Sequence, residues 1–175
     1  MRFALAVRGY ALTASSSRRT KRRVGATRGR RRRDAMDLEY DSPAAYGLYG
    51  YIRAVADELG LTGDSWFVQL EPPVNAYVAL DGHFPLHPGR DVALIWHEEH
   101  GWATAAETGS GDDLLILSFL DNDVLPPPRV VARFARSLPG EQRSAPPVLR
   151  SRNDDDDLLA WLAAYIPREI TTTAG

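Results

Sequence analysis

The sequence contains no cysteine, which removes disulfides, thiolate metal sites and a cysteine nucleophile together. A reducing compartment fits that absence. No apolar run approaches the roughly 20 residues needed to span a bilayer as a helix. Lysine is nearly missing too: Lys21 stands against twenty arginines. No Gly-Lys-Ser/Thr follows a glycine-rich loop, so a phosphate-binding loop is excluded. There is no internal repeat. What remains in 175 residues is room for one domain with tails, enough to build a real core.

The formal net charge of −2 hides an uneven distribution. Residues 1–34 carry twelve basic side chains and one acid (Asp34), giving +11; residues 35–175 carry nine basic and 22 acidic ones, giving −13. Residues 1–35, with the block SRRTKRRVGATRGRRRR, lack any helical or strand period and predict an unstructured tail. A working tail of this kind binds nucleic acid through phosphate contacts and counterion release. The competing reading is a misassigned start. Met36 stands directly before an abrupt change to domain-like composition, and arginine almost without lysine is what GC-rich codons give upstream of a true start. We expect Met36 to be that start. Export signals fit poorly, since Arg8 interrupts FALAV and no apolar stretch follows Arg18-Arg19 or Arg22-Arg23. Intact-mass measurement on protein from its native host decides the matter: a mass beginning at Met1 refutes the Met36 start.

From residue 36 to 138 the pattern is that of a folded domain. Asp41-Ser42-Pro43 supplies a capping side chain and a first-turn proline, and Gly60 a stop. Between them Ala45, Leu48, Tyr49, Ile52, Val55, Ala56 and Leu59 follow the helical period, although Gly47 and Gly50 each weaken the helix by about 1 kcal/mol. Five short strands follow. Trp66, Val68 and Leu70 alternate with Phe67, Gln69 and Glu71, and Tyr77 and Ala79 with Val78 and Leu80. Val92, Leu94 and Trp96 share one face of a third strand, and Trp102, Thr104 and Ala106 one face of a fourth. Leu114–Phe119 is nearly continuous in apolar residues and predicts a central or well-covered fifth strand. A helix after Pro128 carries Val131, Phe134, Ala135 and Leu138 on one face. Residues 139–153 have linker composition, residues 154–167 an amphipathic helix led by four aspartates, and residues 168–175 a tail. The expected fold is α+β: a five-stranded antiparallel meander flanked by an N-terminal and a C-terminal helix in two layers, with a tethered third helix.

All four histidines fall between positions 83 and 100, near Asp81, Glu98 and Glu99. A small-ligand- or metal-dependent enzyme would draw on His83, His87, His97 and His100 with Asp81 or Glu98. Rings more than about 10 Å apart cannot share one metal, since ligand nitrogens sit roughly 2 Å from a zinc. His97-Glu98-Glu99-His100 has two residues between its histidines where a zinc-protease helix has three, and Pro85 and Pro88 oppose a helix at His83 and His87. Turn decoration explains the cluster more simply, so no catalytic, cofactor or metal residue is assigned. Gly109-Ser110-Gly111 lacks the surroundings of a nucleophile elbow. Core packing is the simpler role for Trp96 and Trp102, which strand spacing makes cross-strand neighbours. The alternative is a partner or ligand surface in which one tryptophan walls a groove rimmed by Asp81, Arg90 and Asp91.

The pieces YVALDG, GRDVALIWHEEHGWA, LDNDVLPPP and VARFAR resemble an actinobacterial family classed as a domain of unknown function, of the DUF6292 type, over roughly residues 46–138. The resemblance implies an actinobacterial, cytoplasmic protein and carries no activity, cofactor or site residue with it. A well-specified core without a convergent catalytic set therefore leads us to expect a non-catalytic protein-interaction or regulatory module with a protein partner. Its third helix is expected either to dock back or to meet that partner.

Overall fold

The computed structural model describes residues 38–63, 65–80, 90–107, 114–137, 145–150 and 157–167. The arginine-rich tail with Met36, the loop bearing Asp81, His83 and His87, the turn at Gly109–Gly111, Asp154 to Asp156 and residues 168–175 lie outside them.

Helix α1 spans Pro43–Leu59 and starts as its sequence dictates: the Ser42 hydroxyl accepts from the Ala45 N–H at 3.1 Å, and Pro43 needs no partner for a missing N–H. It ends at Gly60, whose φ of 75° places it in the left-handed region. Strands β1 (Trp66–Gln69), β2 (Asn75–Leu80), β3 (Val92–His97), β4 (Gly101–Glu107) and β5 (Leu114–Phe119) pair antiparallel in chain order, a simple meander. Helix α2 covers Pro128–Ser137 and α3 covers Leu158–Ala163. No helix among the described residues is long and apolar enough to cross a membrane.

Alternation places the side chains as expected. Trp66, Val78, Leu94, Thr104 and Ser118 fall opposite one another across all five strands, on the face toward α1. Leu48, Ile52 and Val55 of α1 close on that face, joining Ala76, Trp96 and Trp102 in the main core. On the opposite face Phe67, Tyr77, Ala93, Ile95 and Ala105 form a smaller apolar cluster, with the Phe67 and Tyr77 rings stacked at 5.5 Å. The helical layer differs from the simplest expectation. α1 lies on the sheet, while the backbones of α2 and α3 come closest to α1 and flank it. Arg136 of α2 donates to the Glu58 carbonyl at the end of α1, fixing that flank.

Two further differences have physical causes. β5 is an edge strand, not a central one, because a meander places its last strand at the margin. Its unbroken apolar run is explained by a bulge: Thr104 pairs with Ser118 and Ala105 with Ile116, so Leu117 is the extra residue and turns into a cluster with Val92 and Ala106. In α1, Tyr51 takes the fully buried place and Tyr49 is only half-buried.

Tyr51 is buried for a polar reason. Its hydroxyl accepts from Trp102 Nε1–H at 2.9 Å and donates to the Pro126 carbonyl at 2.7 Å, tying helix, sheet and the β5–α2 connection together. Trp96 Nε1–H donates to the neighbouring Val124 carbonyl at 2.7 Å. Removing the hydroxyl strands a buried indole donor and a carbonyl. Tyr51→Phe should therefore cost about 1–3 kcal/mol, read as a lower urea midpoint with an unchanged slope.

Burial pushes the Tyr51 phenol well above the ordinary tyrosine value of 10.0. Burial does the same at Tyr77, reinforced by the charge of Glu107, to which its hydroxyl donates at 3.2 Å, and by that of Asp91. Above the ordinary value the unfolded chain releases these protons and the native chain holds them. Stability is thus intact below pH 10.0 and declines as pH rises beyond it. An alkaline titration should show tyrosinate absorbance from these two rings appearing only with unfolding, and Tyr77→Phe should shrink the decline.

Candidate functional site

The polar residues gather where β3 turns into β4. Gly101, with φ at 66°, allows the sharp reversal over Glu98, Glu99 and His100. Glu98 is 0% exposed and does two jobs with its two carboxylate oxygens. Oε1 accepts from the Val74 N–H at 3.2 Å, while the Glu98 N–H donates to the Val74 carbonyl at 3.1 Å. This reciprocal pair clamps the turn to the start of β2. Oε2 accepts from Arg150 Nη1 at 3.0 Å, and the Arg150 side chain is itself nearly buried.

Arg150 belongs to a stretch of linker composition, yet residues 145–150 run against the turn rather than away from it. The Leu149 N–H donates to the Glu99 carbonyl at 3.0 Å, and His100 Nδ1 lies 2.8 Å from the Pro147 carbonyl. A carbonyl only accepts, so His100 carries its proton on Nδ1. The Leu149 side chain packs against the main core, and a β-carbon at Gly101 would press on it.

The chain then returns to α1 as α3. Leu158 and Leu162 are fully buried, and Tyr165 meets Tyr51 edge to face with ring centres 4.9 Å apart. The approach is backbone to backbone. A β-carbon at Gly47 would collide with the Leu162 carbonyl oxygen, and one at Gly50 with that of Tyr165. These two glycines, which on propensity alone only weaken α1, make the docking of α3 possible. α3 is shorter than the acid-led pattern over 154–167 predicts: Asp157 stands at its N-cap and makes no side-chain capping bond. Leu159 and Trp161 remain 49% and 47% exposed.

The structure brings some sequence candidates together and separates others. Trp96 and Trp102 sit opposite each other, both fully buried on the helix-side face. Arg90 and Asp91 are exposed at the other end of β3 from the turn. His97 and His100 stack with ring centres 4.6 Å apart and planes inclined by 19°. That separation is short enough for one metal, but the orientation opposes it. A metal lies near the plane of each imidazole that binds it, and planes this nearly parallel meet well beyond a Zn–N bond of roughly 2 Å. His97 Nδ1 also accepts from the Glu99 N–H at 3.1 Å. Among the described residues no group of three or more His, Cys, Asp or Glu is placed to hold a metal ion. Asn75, opposite His97 and nearly buried, donates through Nδ2 to the Pro73 carbonyl at 2.8 Å, and its Oδ1 makes no hydrogen bond among the described residues.

Sequence reasoning missed Arg150 and Leu149, whose neighbours give no periodic signal. The glycine pair in α1 was the available clue, because two glycines three apart inside a strong helical period mark a close backbone approach.

These features define an α+β domain of helix, meander and helix, with a peptide segment held across its β3–β4 turn. Residues 51–137 match the profile of the family described as "Family of unknown function (DUF6292)", and the domain is similar to that family over this stretch. No curated protein and no solved structure matches the chain.

Proposed function

We propose that this is a non-catalytic protein-interaction module, acting in the cytoplasm of an actinobacterium, whose recognition surface is the β3–β4 turn together with the Gly47–Gly50 side of α1. One observation carries the reading: the turn holds a peptide segment through two side chains and one main-chain carbonyl. The Glu98 carboxylate holds Arg150 by a charge-assisted bond, the His100 ring holds a carbonyl, and the Glu99 carbonyl accepts an N–H of the same segment. Arginine and main chain bound together in this way are the ingredients of peptide recognition.

The test is affinity capture of the full-length protein from its native host after cross-linking, beside the Glu98→Gln variant. Glutamine keeps an acceptor for the Val74 N–H and removes the charge that faces Arg150. A defined set of partner proteins with the wild type, altered by the variant, is the expected outcome. Recovery from both that equals a tag-only control overturns the reading.

A further inference from the structure

We infer that the turn and α1 form a docking surface for a peptide bearing an arginine followed by a short leucine-faced helix, and that residues 145–150 and 157–167 are an occupant in cis which such a partner displaces. The inference rests on the interaction-module reading and names its ligand. Three observations carry it.

Acceptor and occupant first belong to different parts of the chain. Tyr51, Glu98, Glu99, His100 and Gly101 lie inside the family-matched stretch 51–137 and Gly47 and Gly50 just before it, whereas 145–150 and 157–167 lie beyond its end. The turn thus belongs to the family-matched stretch, and its filling to the sequence that follows.

The surface is also shaped for a helix backbone. Gly47 and Gly50 receive the carbonyl oxygens of Leu162 and Tyr165, so the contact reads the shape of an incoming helix more than its side chains. Side-chain selection comes from Glu98 at one end and from the sites of Leu158 and Leu162 at the other, eight and twelve residues after Arg150.

The occupant, finally, does not sustain its own structure. α3 has six residues, far below the roughly 12–15 an isolated helix needs. It is helical because it is docked. A tethered segment of this kind competes at an effective concentration of roughly millimolar, so it excludes weak ligands and yields to one of higher affinity. The exposed Leu159 and Trp161 flank its buried stripe, giving an incoming protein a first foothold on the segment it removes.

The experiment uses the full-length chain and a fluorescent synthetic peptide of residues 145–167. In the Leu158→Asp, Leu162→Asp variant the cis occupant is disabled and the acceptor is untouched. The variant should bind the peptide at least about 10-fold more tightly than the wild type, whose site is already filled. A peptide with Arg150→Ala should bind about 100-fold more weakly than the native peptide. Equal affinity for variant and wild type, no binding to a variant whose buried tryptophans keep their near-ultraviolet dichroism, or indifference to Arg150→Ala overturns the inference. If the variant does not fold, isotope-labelled wild type with excess unlabelled peptide replaces it. Displacement should move the amide signals of 158–163 to unfolded positions while those of β2–β4 persist, and an unchanged spectrum overturns the inference. Partners captured from the host that ignore the peptide would leave the module reading standing and remove this one. Peptide binding without any captured partner would remove the module reading and with it the partner in trans, leaving only the cis docking of the segment.

Discussion

Glu98→Ala should lower stability by about 3–5 kcal/mol, the cost of breaking a buried ion pair by deleting one member. The substitution removes the carboxylate that Arg150 and the Val74 N–H share, in a place with no solvent exposure. Glu98→Gln should cost less, because its amide oxygen still serves Val74. Arg150→Met should cost more than Glu98→Gln, because it leaves the Glu98 carboxylate, which has no exposure, without the compensating guanidinium, whereas the Arg150 left by Glu98→Gln keeps 10% of its side-chain surface. Urea unfolding of the three variants and of the Glu98→Ala, Arg150→Met pair closes a double-mutant cycle. The prediction fails if the two single changes add independently, or if Glu98→Ala unfolds within 1 kcal/mol of wild type, a margin typical of a surface ion pair at about 0–1 kcal/mol.

Gly47→Ala and Gly50→Ala should each destabilise the domain, reversing the sign expected from helix propensity. In an exposed helix interior the change gains about 1 kcal/mol. Here each new β-carbon meets a backbone carbonyl of the α3 segment, and a backbone cannot rotate away as a side chain can. Overpacking of this kind costs typically 1–3 kcal/mol. The loss has a ceiling, because α3 can leave altogether. Undocking surrenders the burial of Leu158 and Leu162, each worth roughly 1.5–3 kcal/mol. Amide exchange separates the two outcomes: fast exchange confined to 158–163 means release, and a uniform rise means strain in the core. A higher melting temperature for either variant would show that α3 does not press on α1 in solution.

Much of the fold was legible in the sequence. Period-two alternation assigned faces correctly in β2, β3 and β4, because there one set of side chains meets α1 and the other does not. Ser42-Pro43 and Gly60 bounded α1 because caps are local chemistry. The position of β5 was not legible: an apolar run signals burial, and a bulge that buries Leu117 leaves the same signature as a central strand. Tyr51 was lost from the helical stripe because its burial depends on partners 51 and 75 residues away. The candidate site was legible only in part. The turn drew notice through its histidines and acids, but the meaning of Glu98 lies with Arg150, 52 residues on, in a stretch whose composition reads as spacer.

The return of α3 to α1 has a consequence for how the chain is made. Helix α1 emerges from the ribosome about a hundred residues ahead of Leu158 and Leu162, an interval on the order of ten seconds at bacterial elongation rates. Throughout it the glycine-lined side of the first helix lacks the helix that covers it, and nascent chains halted before residue 157 should be cut by protease within α1 where chains extended past α3 are spared. The covering of α1 thus comes late in synthesis, after every strand of the meander has emerged.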